Sequence, residues 1–158
     1  MEKKLNKIID ISAWTGKNEV LLDTDGQEVQ ITARIEVAEG EKHELDLHII
    51  HRAPNTTAHI DLRGAVHARG RLSLHGTLVV EKTAHKTQSF LKERVLLLDP
   101  TATAEAIPNL QIQTDDVSCS HASTISQPDE EQVFYLMSRG MRRKKATEVM
   151  VEAFLGET

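Results

Sequence analysis

Residues 58–80 read AHIDLRGAVHARGRLSLHGTLVV, and the alternation in this stretch decides the fold. Ala58, Ile60, Leu62, Val66, Ala68, Leu72, Leu74, Leu78 and Val80 all occupy even positions, and Gly64, Gly70 and Gly76 share that parity. The odd positions carry His59, Asp61, Arg63, His67, Arg69, Arg71, Ser73, His75 and Thr77. Successive side chains of a strand point to opposite faces, so a period of two means β structure with one face buried and one in water. One strand spanning all of 58–80 would far exceed the usual ~3–10 residues. The chain must bend several times while keeping the same face inward, and the three glycines at six-residue spacing are the expected bending points. A β-coil wound around its own interior does this without reversing register. A meander of short hairpins is the alternative, but its turns would interrupt the alternation with polar pairs, so the coil is favoured.

Working outward, Asn18 to Thr24, Glu28 to Val37 and Lys42 to Ile50 are β-prone runs separated by the turn signals Asp25-Gly26 and Glu39-Gly40-Glu41. His43, His51, His59, His67 and His75 recur every eight residues. With rungs of ~16 residues and two faces, His43, His59 and His75 would stack on one outer face, and His51 and His67 on the other. Such stacks form a metal ladder or a solvated polar face. No cysteines or carboxylates share the interval, which favours the polar face.

The pattern changes at the end of the chain. Pro128 followed by Asp129-Glu130-Glu131 signals a helix start, with acids near the positive end of the helix dipole. This helix carries Val133, Phe134, Leu136 and Met137 and is expected to stop at Gly140. A second, from about Arg142 to Phe154, places Ala146, Val149, Met150 and Ala153 at helical spacing and ends by Gly156. The expected division is a β core over 1–125 and a helical segment over 126–158, the helix pair being the natural docking element.

Composition narrows the function. The 158 residues suit one domain with a small terminal appendage, and 3% aromatic content leaves the core to Val, Ile, Leu and Ala. A formal charge of -5 argues against general affinity for a phosphate backbone. The basic run Arg139, Arg142, Arg143, Lys144 and Lys145 reads as a solvated helix face before a partner contact, and nucleic-acid binding is disfavoured because stacking aromatics are missing nearby. Cys119 is the sole cysteine, which excludes an intrachain disulfide and fits a reducing compartment. Met1-Glu2-Lys3-Lys4-Leu5 lacks the apolar core of a secretory signal, and no apolar run approaches the ~20 residues of a membrane span. A cytoplasmic protein without membrane association is the expectation. No Gly-x-Ser-x-Gly elbow, cysteine-protease signature or phosphate-binding loop is present, so the chain is not expected to be an enzyme or to hydrolyse ATP itself.

Thr114-Asp115-Asp116-Val117-Ser118-Cys119-Ser120-His121 is the strongest local feature. In a strand, Cys119 and His121 share a face with Cα atoms ~6.5 Å apart, close enough for thiolate and imidazole to reach one metal or for one to tune the other. Asp115 and Asp116 point to opposite faces and form no carboxylate pair.

From about Pro54 onward the chain resembles the C-terminal part of SufB/SufD proteins, and SufD more than SufB. The resemblance rests on Asp61-Leu62-Arg63-Gly64, His75-Gly76-Thr77-Leu78-Val79-Val80, His85-Lys86-Thr87-Gln88, Leu96-Leu97-Leu98 and Ala104-Glu105-Ala106-Ile107-Pro108-Asn109-Leu110. It is most specific in Asp115 to His121, followed by Asp129 to Gly140 with its Phe134-Tyr135-Leu136-Met137-Ser138-Arg139-Gly140. The resemblance implies a right-handed parallel β-helix with two short C-terminal α-helices, and association of two such subunits through their β-helices. It implies a SufC-type ATPase docking on the helical part, here Phe134, Tyr135, Arg139, Gly140 and Arg142. It also implies a role in assembling a transient iron–sulfur cluster for His121, with Cys119 as a nearby metal-capable thiolate. Ala122 replaces the glycine that normally follows the histidine, and Gln111 stands where the family usually has glutamate. The chain is also short for the family, as a minimal homodimeric version or a relative that kept only the scaffold would be.

A typical cluster takes about four protein ligands. One chain offers Cys119 and His121; two copies, or one copy with a SufB-like subunit, supply enough. The expected function is thus a scaffold component of iron–sulfur cluster assembly, acting as a dimer with its ATPase. The alternatives are a metal-free structural interaction module of the same fold and a simple metal binder using the histidines.

Overall fold

The computed structural model describes residues 6–156. The leading Met1 to Leu5, read above as no secretory signal, lies outside the described residues. Among the described residues nine strands alternate between two all-parallel sheets, β1(Asn6–Asp10), β3(Glu28–Val37), β5(Thr57–Val66), β7(Thr87–Leu97) and β9(Val117–Ser126) in one, β2(Gly16–Leu22), β4(Lys42–His51), β6(Arg71–Val80) and β8(Thr103–Ile112) in the other. Each strand crosses to the opposite sheet, and the next returns beside the first. This is the β-coil that the alternation favoured and the parallel β-helix that the resemblance implied. Two helices, α1(Glu130–Ser138) and α2(Arg143–Leu155), close the chain. No helix among the described residues is long and apolar enough to cross a membrane.

The inward positions stack in register. Ile31, Ile60 and Leu91 form one column, and Val20, Ile49, Leu78 and Leu110 form another in the facing sheet. Ile31, Leu62, Leu72, Leu74 and Leu78 have no solvent exposure. Burying an aliphatic side chain of this size contributes about 1.5–3 kcal/mol, so the core is the main source of stability.

Three expectations need correction. Lys42 pairs with Arg71 and Arg71 with Thr103, so one turn takes 29 and then 32 residues, about twice the expected rung. The five histidines therefore do not stack. His43 and His51 lie on β4, His59 and His75 on opposite sheets, and His67 in a turn where it meets Glu36 at 2.7 Å. Secondly, Gly64 and Gly76 do not bend the chain; both lie inside strands. A Cβ on Gly64 would come 2.1 Å from Leu72 Cδ2, and one on Gly76 would come 2.5 Å from Leu91 Cδ2. They make room for large residues of the facing sheet. Of the three, only Gly70 sits at a corner, and the corners are otherwise turned by left-handed residues: Gly26, Asn55 and Lys86 on one side, Gly40 and Arg69 on the other. Backbone hydrogen bonds tie the corners of successive turns, from Gly26 N to Pro54 O, Asn55 N to His85 O and Lys86 N to Asp116 O.

The third correction concerns α2. Its buried residues are Ala146 and Val151, and Ala153 is exposed. The helix lies on the outer face of the five-stranded sheet, with Val151 against Ala65 and Leu96 and with Phe154 and Leu155 beside them. Packing on a flat sheet selects a different stripe from the one read off the spacing. Val149, Met150 and Ala153 instead line a groove toward α1.

Helix α1 starts as its sequence demands. The Asp129 side chain accepts a hydrogen bond from Glu131 N, and Glu130 and Glu131 occupy the first turn. Arg143 binds Glu130 at 2.6 Å and links the two helices.

Candidate cluster site and docking face

Moving along the coil toward β9, the inward columns of the five-stranded sheet turn polar. Val29, Ala58, Ser89 and Cys119 form one column, Ile31, Ile60, Leu91 and His121 the next, and Ala33, Leu62, Glu93 and Ser123 a third. Both Cys119 and His121 thus stand on the interior side of the last turn. The alternation confirms the direction: Cys119 is half-buried between exposed Ser118 and Ser120. His121 is exposed. The structure brings the two predicted residues to one face of one strand.

That strand is unpaired on its far side. β9 is the edge of its sheet and β8 the edge of the other, so both edges open at the same end of the coil. Pro108 lies in β8, where an edge strand tolerates the missing N–H. β9 contains neither proline nor lysine, the usual devices that discourage strand addition. Ser123 Oγ donates to Ala106 O at 3.3 Å across the open end, and Ile112 and Ile125 are each 42% exposed there.

The thiol is not pre-activated. Burial pushes the Cys119 pKa up, partly opposed by the Ser89 backbone N–H. A metal must therefore displace a proton to bind this sulfur. Among the described residues no three His, Cys, Asp or Glu side chains are grouped to hold a metal ion. Cys119 and His121 offer two donor atoms on one face of β9.

Beneath them lie buried polar groups: His51, which the eight-residue spacing placed on an outer face but which points into the coil because it shares the inward parity of β4, and Ser89, Thr56, Thr87 and Glu93, which the sequence reading did not single out. His51 is fully buried, with Nδ1 2.8 Å from Thr56 Oγ1 and Nε2 3.0 Å from Ser89 Oγ, directly under Cys119. Thr56 Oγ1 also meets Thr87 Oγ1 at 3.1 Å. Desolvation lowers the His51 pKa to about 4, so the ring is neutral. Glu93 is fully buried under Ser123, and neither carboxylate oxygen has a hydrogen-bond partner of normal geometry. Burial raises its pKa to about 7, and the nearby Gly76 N–H opposes this in part. The available signal was parity: Ser89 and Glu93 share the inward positions of β7 with Leu91 and Val95.

The predicted docking residues gather at the helix pair. Phe134 is 71% and Tyr135 56% exposed, an unusual display for large apolar side chains on one short helix. The Arg139 guanidinium lies 5.3 Å from the Tyr135 ring centroid and its Nη2 donates to Tyr135 Oη at 3.3 Å. This is a cation–π geometry that stiffens both side chains. Gly140, at φ 93°, turns the chain between the helices, and Arg142 is the N-cap residue of α2. Beside them a groove of about 820 Å³ runs between the helices, lined by Leu96, Tyr135, Leu136, Met150 and Phe154 among others.

Comparison with known proteins agrees with this architecture. Residues 12–154 match the family described as SUF system FeS cluster assembly, SufBD core domain. An iron-sulfur cluster assembly SufBD family protein of Mycobacterium bovis is 36% identical over 107 residues, covering 68% of this chain and 13% of the relative. One of Mycobacterium leprae is 34% identical over 117 residues, covering 74% and 14%. The iron-sulfur cluster assembly protein SufB of Bacillus subtilis is 32% identical over 116 residues, covering 73% and 25%. The chain thus spans 13% to 25% of the length of these curated relatives. One of them is named SufB, and none of the three carries the expected nearer likeness to SufD.

Proposed function

Since this chain belongs to the SufBD family of iron–sulfur cluster assembly proteins, we propose that it is a non-enzymatic scaffold on which a cluster is assembled between two subunits. The observation that carries this reading is the position of Cys119 and His121 on the inner face of an unpaired terminal strand. Two donors fall short of the about four that a cluster takes. A second copy, or a SufB-like subunit, added at this end would extend the sheet and bring its own donors to the same place. Iron and sulfide are the cargo, held in transit and released to a recipient.

The exposed Phe134 and Tyr135, with Arg139, Gly140 and Arg142, form the surface for a SufC-type ATPase. Apolar anchors beside a groove are the usual core of such contacts, and the adjoining arginines set orientation. ATP-driven movement of the partner would open or realign the subunit interface and admit iron and sulfide to Cys119 and His121. The cytoplasm is the proposed site of action.

Anaerobic reconstitution with ferrous iron and sulfide tests the ligand assignment. Cys119→Ser and His121→Ala are each expected to lose most of the bound iron and labile sulfide while remaining folded by circular dichroism. Unchanged loading in both variants contradicts the assignment. For the docking face, Phe134→Ala is expected to weaken ATPase binding by about tenfold or more, a loss typical of an interface anchor. Undiminished binding moves the docking surface elsewhere.

A second reading, a metal-free interaction module, draws on the raised pKa of the Cys119 thiol, which disfavours metal capture by one chain alone. ATPase binding without iron loading under any condition would select it.

A further inference from the structure

The outer face of the five-stranded sheet carries a row of arginines at neighbouring positions, with Arg34 beside Arg63 and Arg63 beside Arg94. Adjacent strands lie about 4.8 Å apart, so three guanidinium groups are held close together. One carboxylate serves all three. Asp61 accepts from Arg34 Nη2 at 3.1 Å, from Arg63 Nε at 3.0 Å and from Arg94 Nη2 at 2.9 Å. Lys92 is the register neighbour of Asp61, is exposed, and has no partner among the described residues. Four cations thus gather around Asp61, with Asp10 near Arg34 as a second anion, on a chain whose formal charge is -5. A local surplus of this kind creates a strongly positive potential over the face.

The donors divide into two groups. Arg34 and Arg63 are structural. Arg34 Nη1 donates to the Ala33 and Asp61 carbonyls at 2.8 and 2.9 Å, and Arg63 Nη1 donates to Phe154 O at 2.8 Å, which fastens the C-terminal end of α2 to the sheet. Arg94 and Lys92 are left with spare capacity. The Arg94 side chain stays 40% exposed with its Nε lacking a hydrogen-bond partner, and Lys92 is exposed. Burial lowers the Arg34 pKa, Asp61 opposes this, and repulsion from Arg63 and Arg94 adds to it.

Next to the cations stands an aromatic pair. His59 and Phe90 are register neighbours whose ring centroids lie 5.2 Å apart at an interplanar angle of 19°. The strand beyond Phe90 places Ser120, Ala122 and Thr124 beside Phe90, Lys92 and Arg94, so small side chains leave the Phe90 flank open. The aromatic pair, Arg63, Lys92, Arg94 and Asp61 line one shallow hollow of about 290 Å³, where Asp61 is already engaged by the arginines. A phosphate group suits Lys92 and Arg94, and a planar ring suits the end of the His59–Phe90 stack. Neither feature belongs to the Cys119 face, which lies on the other side of the sheet.

We propose that this hollow binds a phosphate monoester bearing a planar ring, of the nucleoside monophosphate class, with Lys92 and Arg94 on the phosphate and Phe90 and His59 under the ring.

Adenosine monophosphate and inorganic phosphate serve as probes, titrated separately into the whole chain and followed by backbone amide shifts. Adenosine monophosphate is expected to give saturable shifts at Phe90, Lys92 and Arg94, and to bind more tightly than inorganic phosphate. Lys92→Ala is expected to weaken both probes by about tenfold, the loss of one charge-assisted hydrogen bond. Phe90→Ala is expected to weaken adenosine monophosphate and leave inorganic phosphate unchanged. Lys145→Ala on α2, remote from the hollow and paired with Glu148, serves as a control that changes neither. Three results each overturn the proposal: no saturable shift on this face, equal affinity for the two probes, or binding indifferent to Lys92→Ala. Lys92 is exposed, so its replacement does not threaten the fold.

Discussion

Glu93 and His51 are titratable groups in an otherwise aliphatic interior, and their effects on stability have opposite signs. Glu93 holds its proton up to about pH 7 in the folded chain, against 4.5 for the free side chain. Its contribution is full below pH 4.5 and is lost as pH rises through 7, because the folded state binds the proton more tightly. The difference amounts to roughly 3 kcal/mol. His51 behaves in the reverse sense. Its pKa falls from 6.5 to about 4 on folding, so its contribution is full above 6.5 and is lost as pH falls toward 4. Between about pH 4.5 and 6.5 the two slopes cancel, and above that range the Glu93 slope acts alone. Glu93→Gln is therefore expected to stabilise the chain more at pH 8 than at pH 4.5, by roughly 3 kcal/mol. Urea denaturation at the two values measures it; an equal effect at both would show that Glu93 is not held neutral by its surroundings.

At the scale of elements, the corners carry the conformational demand. Lys86 has φ 57° and its N–H bonds Asp116 O at 2.7 Å, so it must stay left-handed to hold two turns together. A β-branched residue resists that conformation by about 1–2 kcal/mol. Lys86→Val is expected to lower the unfolding free energy by about that amount, and Lys86→Gly to cause no such loss. Equal losses in both variants would assign the effect to the lysine side chain rather than to the backbone. The elements were largely legible in the sequence. The run Glu28 to Val37 coincides with β3, and Pro128 with its following acids marks the start of α1. The length of a turn was not legible, because a period of two reports which way side chains point and nothing about the circumference they enclose. The glycines misled for a related reason. Gly64 and Gly76 share parity with the core, yet their role depends on Leu72 and Leu91, which reach them from the facing sheet. A helix lying on the outer face left two traces, the apolar Ala65 and Leu96 at neighbouring outward positions.

At the scale of the molecule, one face of the coil is covered by a helix, and the last turn is open on its far side. Helix α2 covers the outside of β5 and β7, whereas β8 and β9 present free edges with Cys119 and His121 turned inward beside them. The Cys-x-His pair was visible from its spacing. Its place at an open edge was not, since that depends on which strands pair across ~30 residues of chain. The central claim is that the cluster belongs to two subunits and not to one. Sedimentation of the anaerobically reconstituted protein, with iron and labile sulfide assayed across the boundary, tests it most directly. The expected result is that iron and sulfide travel with a two-subunit species, and that Cys119→Ser removes them from it. Full iron and sulfide loading on a monomer would contradict the claim.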